Sequence, residues 1–434
     1  VRLVVFLFSL FVLVVTSACG GTRARCRPDS CTGCCTMDDQ CVAGTLNTQC
    51  GSAGNTCDVC VGGQVCAAGR CTTSNLSTGG GSAGGGSAGG SAGGSMAGGA
   101  AGGGTGGGSA GGSAGPIVAP NETWTWVDFP NSECGNGSPT GIGVNLTNRS
   151  TDVIIYMQGG GACWNALTCY TVRSATDFDG YNGMDFMGDV PSLGAAFGRT
   201  NMNNPFRNAS FVFIPYCTGD VHAGDTVASY GGHHKGAANV RAFLARLSQT
   251  FPGPRRIWLT GTSAGGYGVQ LNYHRFAEAF PQAEVHGLAD SAQMINPNQA
   301  QLLADWLSAW NVAEPPGCTG CIQDFNRVPA WLSTTYPNRR FGLLAYTRDN
   351  VLMGFFQMSD MEFQTATNTL LMNQYQGKAN LKYYVVEPAN PTHVMLNQLF
   401  TRTVSGVPLS AWANQWATGA PTADGGVWDN VRGP

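Results

Sequence analysis

The sequence predicts an α/β fold, a mostly parallel sheet with helices on both faces, preceded by a small disulfide-rich module and a Gly/Ser/Ala linker. Three observations carry this reading. From about Pro116 onward, short apolar runs alternate with segments of helical periodicity, the pattern of strand–helix–strand units. The pentapeptide Gly261-Thr262-Ser263-Ala264-Gly265 directly follows one such run and precedes a helix-compatible stretch. Ahead of all this, cysteines crowd between Cys26 and Cys71 and are followed by a tract of almost pure Gly, Ser and Ala.

Residues 1–19 read as a lipoprotein signal peptide. Leu3 to Val15 is almost wholly apolar behind Arg2, and Thr16-Ser17-Ala18 are small residues before Cys19; a membrane span would need about 20 apolar residues. The Ser-Ala-Cys ending resembles a bacterial lipobox with Cys19 as the lipidated N-terminus, which implies an outer-membrane or cell-surface lipoprotein, or otherwise a secreted protein. Residues 20–78 form the Cys-rich module. Ten cysteines lie between Cys26 and Cys71 and six more follow in the remainder, even counts that suit disulfides in an oxidising compartment. The module has too few large apolar side chains to fold around a core, so cross-links must stabilise it. No histidine stands near Cys31-x-x-Cys34 or Cys57-x-x-Cys60 to favour zinc. Residues 79–115 read as a disordered linker, with an expected r.m.s. reach of about 35 Å.

Residues 116–434 suit one large domain. Its strands are expected at Asp152 to Gln158, Phe211 to Pro215, Ile257 to Thr260, Val285 to Ala289, Phe341 to Tyr346 and Leu381 to Val386, with helices at Ala237 to Leu247 and Gln270 to Phe280. The remaining six cysteines pair by short loops as Cys163 with Cys169 and Cys318 with Cys321, leaving Cys134 with Cys217. A net charge of −3, with charged residues at 11%, leaves no basic stripe for nucleic acid.

In G-x-S-x-G the glycines let a strand turn sharply into a helix, leaving the serine hydroxyl above the sheet edge. Ser263 is therefore the candidate nucleophile and the fold α/β-hydrolase-like. In that order of partners the acid and then the histidine follow the serine. Of six histidines, His222, His233 and His234 precede Ser263, His274 lies in the helix leaving the elbow and His286 in the next strand. His393, in the loop after Leu381 to Val386, remains as the base. Asp290 and Asp349 each follow an expected strand, and pattern alone leaves them about even, the other being a helix-capping aspartate. Gly159-Gly160-Gly161 after the strand ending at Gln158 can bring N–H groups to an oxyanion together with Ala264. The alternative phosphate-binding reading lacks both a following Lys-Ser/Thr and a G-x-G-x-x-G frame.

The chain from about Trp126 to His393 resembles the pectin acetylesterase family, which also includes the animal Notum-type carboxylesterases that remove a lipid acyl group from Wnt proteins. The matching segments are Cys134-Gly-Asn-Gly-Ser-Pro-Thr-Gly141, Gly159-Gly-Gly-Ala-Cys163-Trp-Asn165, Pro215-Tyr-Cys-Thr-Gly-Asp-Val-His-Ala-Gly224, Gly261-Thr-Ser-Ala-Gly-Gly266, Asp290-Ser-Ala292 and Pro391-Thr-His393. The resemblance implies Ser263, Asp349 and His393 as the triad, with Gly160, Gly161 and Ala264 at the oxyanion positions. It departs where family members carry Trp between the glycines and the first cysteine; here Ala162 precedes Cys163 and the nearest Trp is Trp164. Three functions follow as expectations: an exported serine carboxylesterase deacetylating a polysaccharide such as pectin, a Notum-like deacylase of longer acyl esters, and an inactive surface glycan-binding or adhesion lipoprotein. The chemistry requires no metal or organic cofactor; the expected partner is an acylated polysaccharide, and membrane contact is expected only through the lipid anchor.

Overall fold

The computed structural model describes residues 115–421 and 425–434 and parts of 31–73. The expected signal peptide with Cys19, and the linker up to residue 114, lie outside the described residues. The chain divides into two units, Val1–Gly104 and Thr105–Pro434.

In the first unit, described residues form short antiparallel pairs: Cys34–Cys35 with Cys41–Val42, Thr45–Leu46 with Gln49–Cys50, and Gln64–Ala67 with Arg70–Thr73. Disulfides join Cys31 to Cys41, Cys34 to Cys57 and Cys50 to Cys66. The buried apolar side chains described there are cysteines: Cys31, Cys34, Cys35 and Cys50. Cross-links occupy the place of a core.

The second unit is built on a nine-stranded sheet. Its strands are β1 (Thr125–Phe129), β2 (Thr140–Asn145), β3 (Val153–Met157), β4 (Ser210–Ile214), β5 (Arg256–Thr262), β6 (Glu284–Asp290), β7 (Phe341–Tyr346), β8 (Leu381–Val386) and β9 (Val431–Gly433). Their spatial order is β1-β2-β4-β3-β5-β6-β7-β8-β9. Pairing is parallel from β4 through β9, while β2 runs antiparallel to both β4 and β1.

Side chains alternate faces along each strand. Val153, Ile155, Met157, Ile257, Leu259, Leu343 and Val385 join one apolar cluster, and Ile154, Trp258, Leu344, Tyr384 and Val386 join another on the opposite face. A sheet buried on both faces reads as near-continuous apolar sequence, which is why the central strands fall where the apolar runs are. The first face is covered by helices α2 (Gly236–Thr250), α3 (Ala264–Ala279), α4 (Ala300–Trp310), α5 (Arg327–Thr335), α6 (Asn350–Phe356) and α7 (Asp360–Leu370), the second by α8 (Leu409–Thr418) through Trp412 and Trp416. A short α1 (Gly183–Asp189) buries Phe186 against Phe213. The fold is α/β-hydrolase-like.

Helix α3 starts six residues before the expected Gln270. Gly265, Gly266 and Gly268 weaken helix propensity there, but α3 lies against the sheet so closely that a Cβ on Gly265 would stand 2.0 Å from the Met157 carbonyl oxygen. Packing overrides propensity.

Candidate active site

Strand β5 ends at Thr262 and α3 begins at Ala264, which leaves Ser263 alone at the turn with φ 52° and ψ −123°. A non-glycine residue in that region is held only where its surroundings over-determine it. Ser263 N–H donates to the Asp290 carbonyl at 2.8 Å, and Thr262 pairs in register with Asp290 across β5 and β6. The Ser263 hydroxyl makes no hydrogen bond among the described residues.

Of the two carboxylates the sequence leaves open, Asp349 is the one in contact with His393. The imidazole Nδ1 lies 2.8 Å from Asp349 Oδ1 and 2.7 Å from Oδ2. Asp349 is wholly buried and also caps α6, accepting from Val351 N at 3.1 Å and Leu352 N at 3.0 Å through Oδ1. One carboxylate thus contacts the imidazole and caps the helix. Asp290 is not a helix cap. Its buried carboxylate accepts from Met395 N at 2.8 Å and Leu396 N at 2.6 Å through Oδ2, and burial pushes it up to about 6 against the opposing effect of those amides.

The glycine loop after β3 is tied on three sides. Thr176 N donates to the Gly160 carbonyl at 2.8 Å, Tyr216 Oη to the Gly161 carbonyl at 2.9 Å, and His222 Nε2 to the Gln158 carbonyl at 2.8 Å. Because the peptide unit is planar and trans, anchoring the Gly160 carbonyl turns the Gly161 N–H the other way. Gly161 itself has φ 77°, and a Cβ there would lie 2.1 Å from the Ser174 carbonyl oxygen. Tyr216 and His222 escaped the sequence reading, although both stand in the Pro215 to Gly224 segment; burial holds His222 below the usual imidazole range and raises the Tyr216 phenol.

Ser263, Ala264, Gly161 and Ala162 border one cavity whose other walls are apolar. Helix α4 supplies the largest of them: Trp306 and Trp310, four residues apart on one face, stack at 5.9 Å with an interplanar angle of 11°. Phe355 and Phe356 of α6, with Leu271 and Met294, complete it. Trp164 meets Trp306 edge-on at 5.8 Å, so it backs this wall. None of the wall residues Trp306, Trp310, Phe355, Phe356 and Met294 was singled out in sequence; the Trp-x-x-x-Trp spacing of α4 was the available signal.

The disulfides of this unit join Cys134 to Cys217, Cys163 to Cys169 and Cys318 to Cys321. The second fastens the segment directly after the glycine loop. Among the described residues no group of three or more His, Cys, Asp or Glu side chains is gathered to hold a metal.

Residues 125–313 match the pectinacetylesterase family; that span contains Ser263 and ends before Asp349 and His393. A 174-residue stretch is 30% identical to the palmitoleoyl-protein carboxylesterase NOTUM of Mus musculus, covering 38% of this chain and 34% of the mouse protein. Similarity to pectin acetylesterase 4 of Arabidopsis thaliana is 28% over 153 residues, 34% of this chain and 37% of the plant protein. The matches thus span about a third of the length of these relatives. In three dimensions, the Wnt deacylase Notum from Drosophila aligns with a TM-score of 0.53 at 18% identity, over 68% of this chain and 92% of that one.

Proposed function

We propose that the chain is an exported serine carboxylesterase acting through Ser263, His393 and Asp349. The observation that carries this reading is the strained Ser263 turn bordering an apolar cavity, with Asp349 gripping His393 beyond the C-terminal ends of the same parallel strands. Ser263 Oγ attacks the ester carbonyl as His393 takes its proton, and the oxyanion is stabilised by N–H groups of Gly160, Gly161 and Ala264. Collapse expels the alcohol, which receives the proton from His393; water then releases the acid by the same route. The serine–imidazole hydrogen bond forms with substrate bound, as such contacts are commonly loose without it.

The apolar walls formed by Trp306, Trp310, Phe355 and Phe356 suit an apolar acyl chain and support the Notum-like reading of longer acyl esters. The acetylated polysaccharide remains the reading that the pectin acetylesterase similarity supports, and the inactive-adhesin reading is disfavoured by the Asp349–His393 contact. Lipidation at Cys19, with residues 79–115 as tether, would hold the enzyme at the cell surface. The test is hydrolysis of 4-nitrophenyl acetate, butyrate, octanoate and palmitate by the wild type and Ser263→Ala. Loss of roughly 10⁴ to 10⁶ in kcat is expected in the variant. Equal rates in a folded variant would end the proposal.

A further inference from the structure

His393 is fixed by what surrounds it in the chain as much as by Asp349. Just before it, Thr392 N donates to the Arg348 carbonyl at 3.1 Å. After it, Val394 N donates to Ser291 Oγ at 2.9 Å, Met395 N to Asp290 Oδ2 at 2.8 Å and Leu396 N to the same oxygen at 2.6 Å. Val394 has φ 63°, an outlier for a β-branched residue, which persists only where the surroundings impose it. The side chain of Asp290 thus holds the strained turn behind His393, while its backbone carbonyl holds Ser263 N–H. One wholly buried residue spans the nucleophile turn and the histidine loop.

We propose that Asp290 is a positioning residue that latches the His393 loop to the nucleophile turn. It does not touch substrate. It rests on the proposed role of His393 in ester hydrolysis, and it acts by keeping the imidazole aimed at Ser263 instead of swinging out with a relaxed Val394. An ionised carboxylate offers both oxygens as acceptors; a protonated one turns one oxygen into a donor facing amides that need an acceptor. Burial pushes this carboxyl up to about 6, so the latch weakens on mild acidification. The charged and titratable groups around it are His393, which favours its ionised form, Asp349, which disfavours it, and the phenols of Tyr156 and Tyr346.

The test compares wild type with Asp290→Ala, which removes both acceptor oxygens, in the full chain, with kcat, KM and backbone amide exchange over residues 393–399 as readouts. The expected result is a kcat lower by about 10- to 100-fold with KM within about twofold, faster exchange confined to the loop, and an acid limb of log kcat/KM less steep than in wild type, because one of two protonations has been removed. A wild-type kcat and exchange pattern would overturn the latch. A loss as large as that of Ser263→Ala, with Asp349→Asn still active, would also overturn it by making Asp290 the triad acid. If the variant does not fold, exchange at Met395 and Leu396 in the wild type at pH 7 decides: after correction for intrinsic rates, both amides must be protected, and exchange at the intrinsic rate refutes the latch. That readout requires no esterase activity, so failure of the proposed function and failure of the latch remain distinguishable.

Discussion

Asp349 Oδ2 lies 2.7 Å from the Nδ1 of His393, and the same carboxylate caps the helix that starts at Asn350. One residue therefore ties the orientation of the imidazole to the placement of α6, which also carries Phe355 and Phe356 into the apolar cavity. Histidine alignment and the cavity wall rest on a common support.

Asp349→Asn should separate these roles. Asparagine retains an oxygen for Val351 and Leu352 N–H, so the cap survives with little loss of stability, but it can stabilise the wrong imidazole tautomer, costing about 10⁴-fold in kcat. Asp349→Ala should add a capping loss of about 1 kcal/mol. Steady-state kinetics and urea unfolding of both variants check this, and an asparagine variant of near wild-type rate would remove Asp349 from the triad.

The sequence was legible where a single physical rule dominates. Buried parallel strands are continuous apolar runs, so β7 and β8 coincide with Phe341 to Tyr346 and Leu381 to Val386. Strands β1 and β2 were not anticipated: Thr140–Asn145 carries two glycines, which weaken strand propensity, and pairing with both β1 and β4 makes it a strand. Ser263 was legible because its turn demands glycine neighbours. The contacts of Asp290 were not legible, since backbone amides 105 and 106 residues away leave no mark on local sequence.

Acyl-chain preference should rise with length. Each methylene removed from water contributes about 0.8 kcal/mol, roughly three- to fourfold in kcat/KM, until the cavity is full. Phe355→Ala opens the wall beside Gly161 and should shift the optimum to longer or branched chains while leaving acetate hydrolysis within about threefold. A flat series from acetate to octanoate would return the acetyl reading to first place.

Stability should respond to pH through Asp290 in the opposite sense to activity. Its folded value is about 6, raised by burial from 3.8, so between about pH 4 and 6 the folded state binds more protons than the unfolded one. Stability from this group therefore falls as pH rises through that window, by on the order of 3 kcal/mol. Asp177, pushed up to about 6 by burial and by Asp189, Asp185 and Asp179, acts in the same direction. Asp290→Asn should gain on wild type by about 2 kcal/mol between pH 4.5 and 7.5 in urea unfolding. A pH-independent difference would show that the carboxyl does not titrate there.

A chain beginning at Pro116 should fold and hydrolyse esters with kcat/KM within about twofold of the full chain. The sheet, the helices covering it and the candidate site all lie within the second unit. The start matters at the level of single residues: Ile117 is buried in the main core, and its N–H donates to Thr250 Oγ1 of α2 at 2.9 Å. A chain beginning at Pro120 forfeits that side chain and should lose about 2 kcal/mol of stability while retaining kcat, because the hydrogen bond lost with Ile117 anchors the N-terminus to α2, not to a residue of the site. Thermal unfolding and rates of the two truncations decide the matter. If the chain beginning at Pro116 folds but hydrolyses nothing until residues 26–71 are restored, the Cys-rich module contributes to catalysis and the division of labour proposed for this chain is wrong.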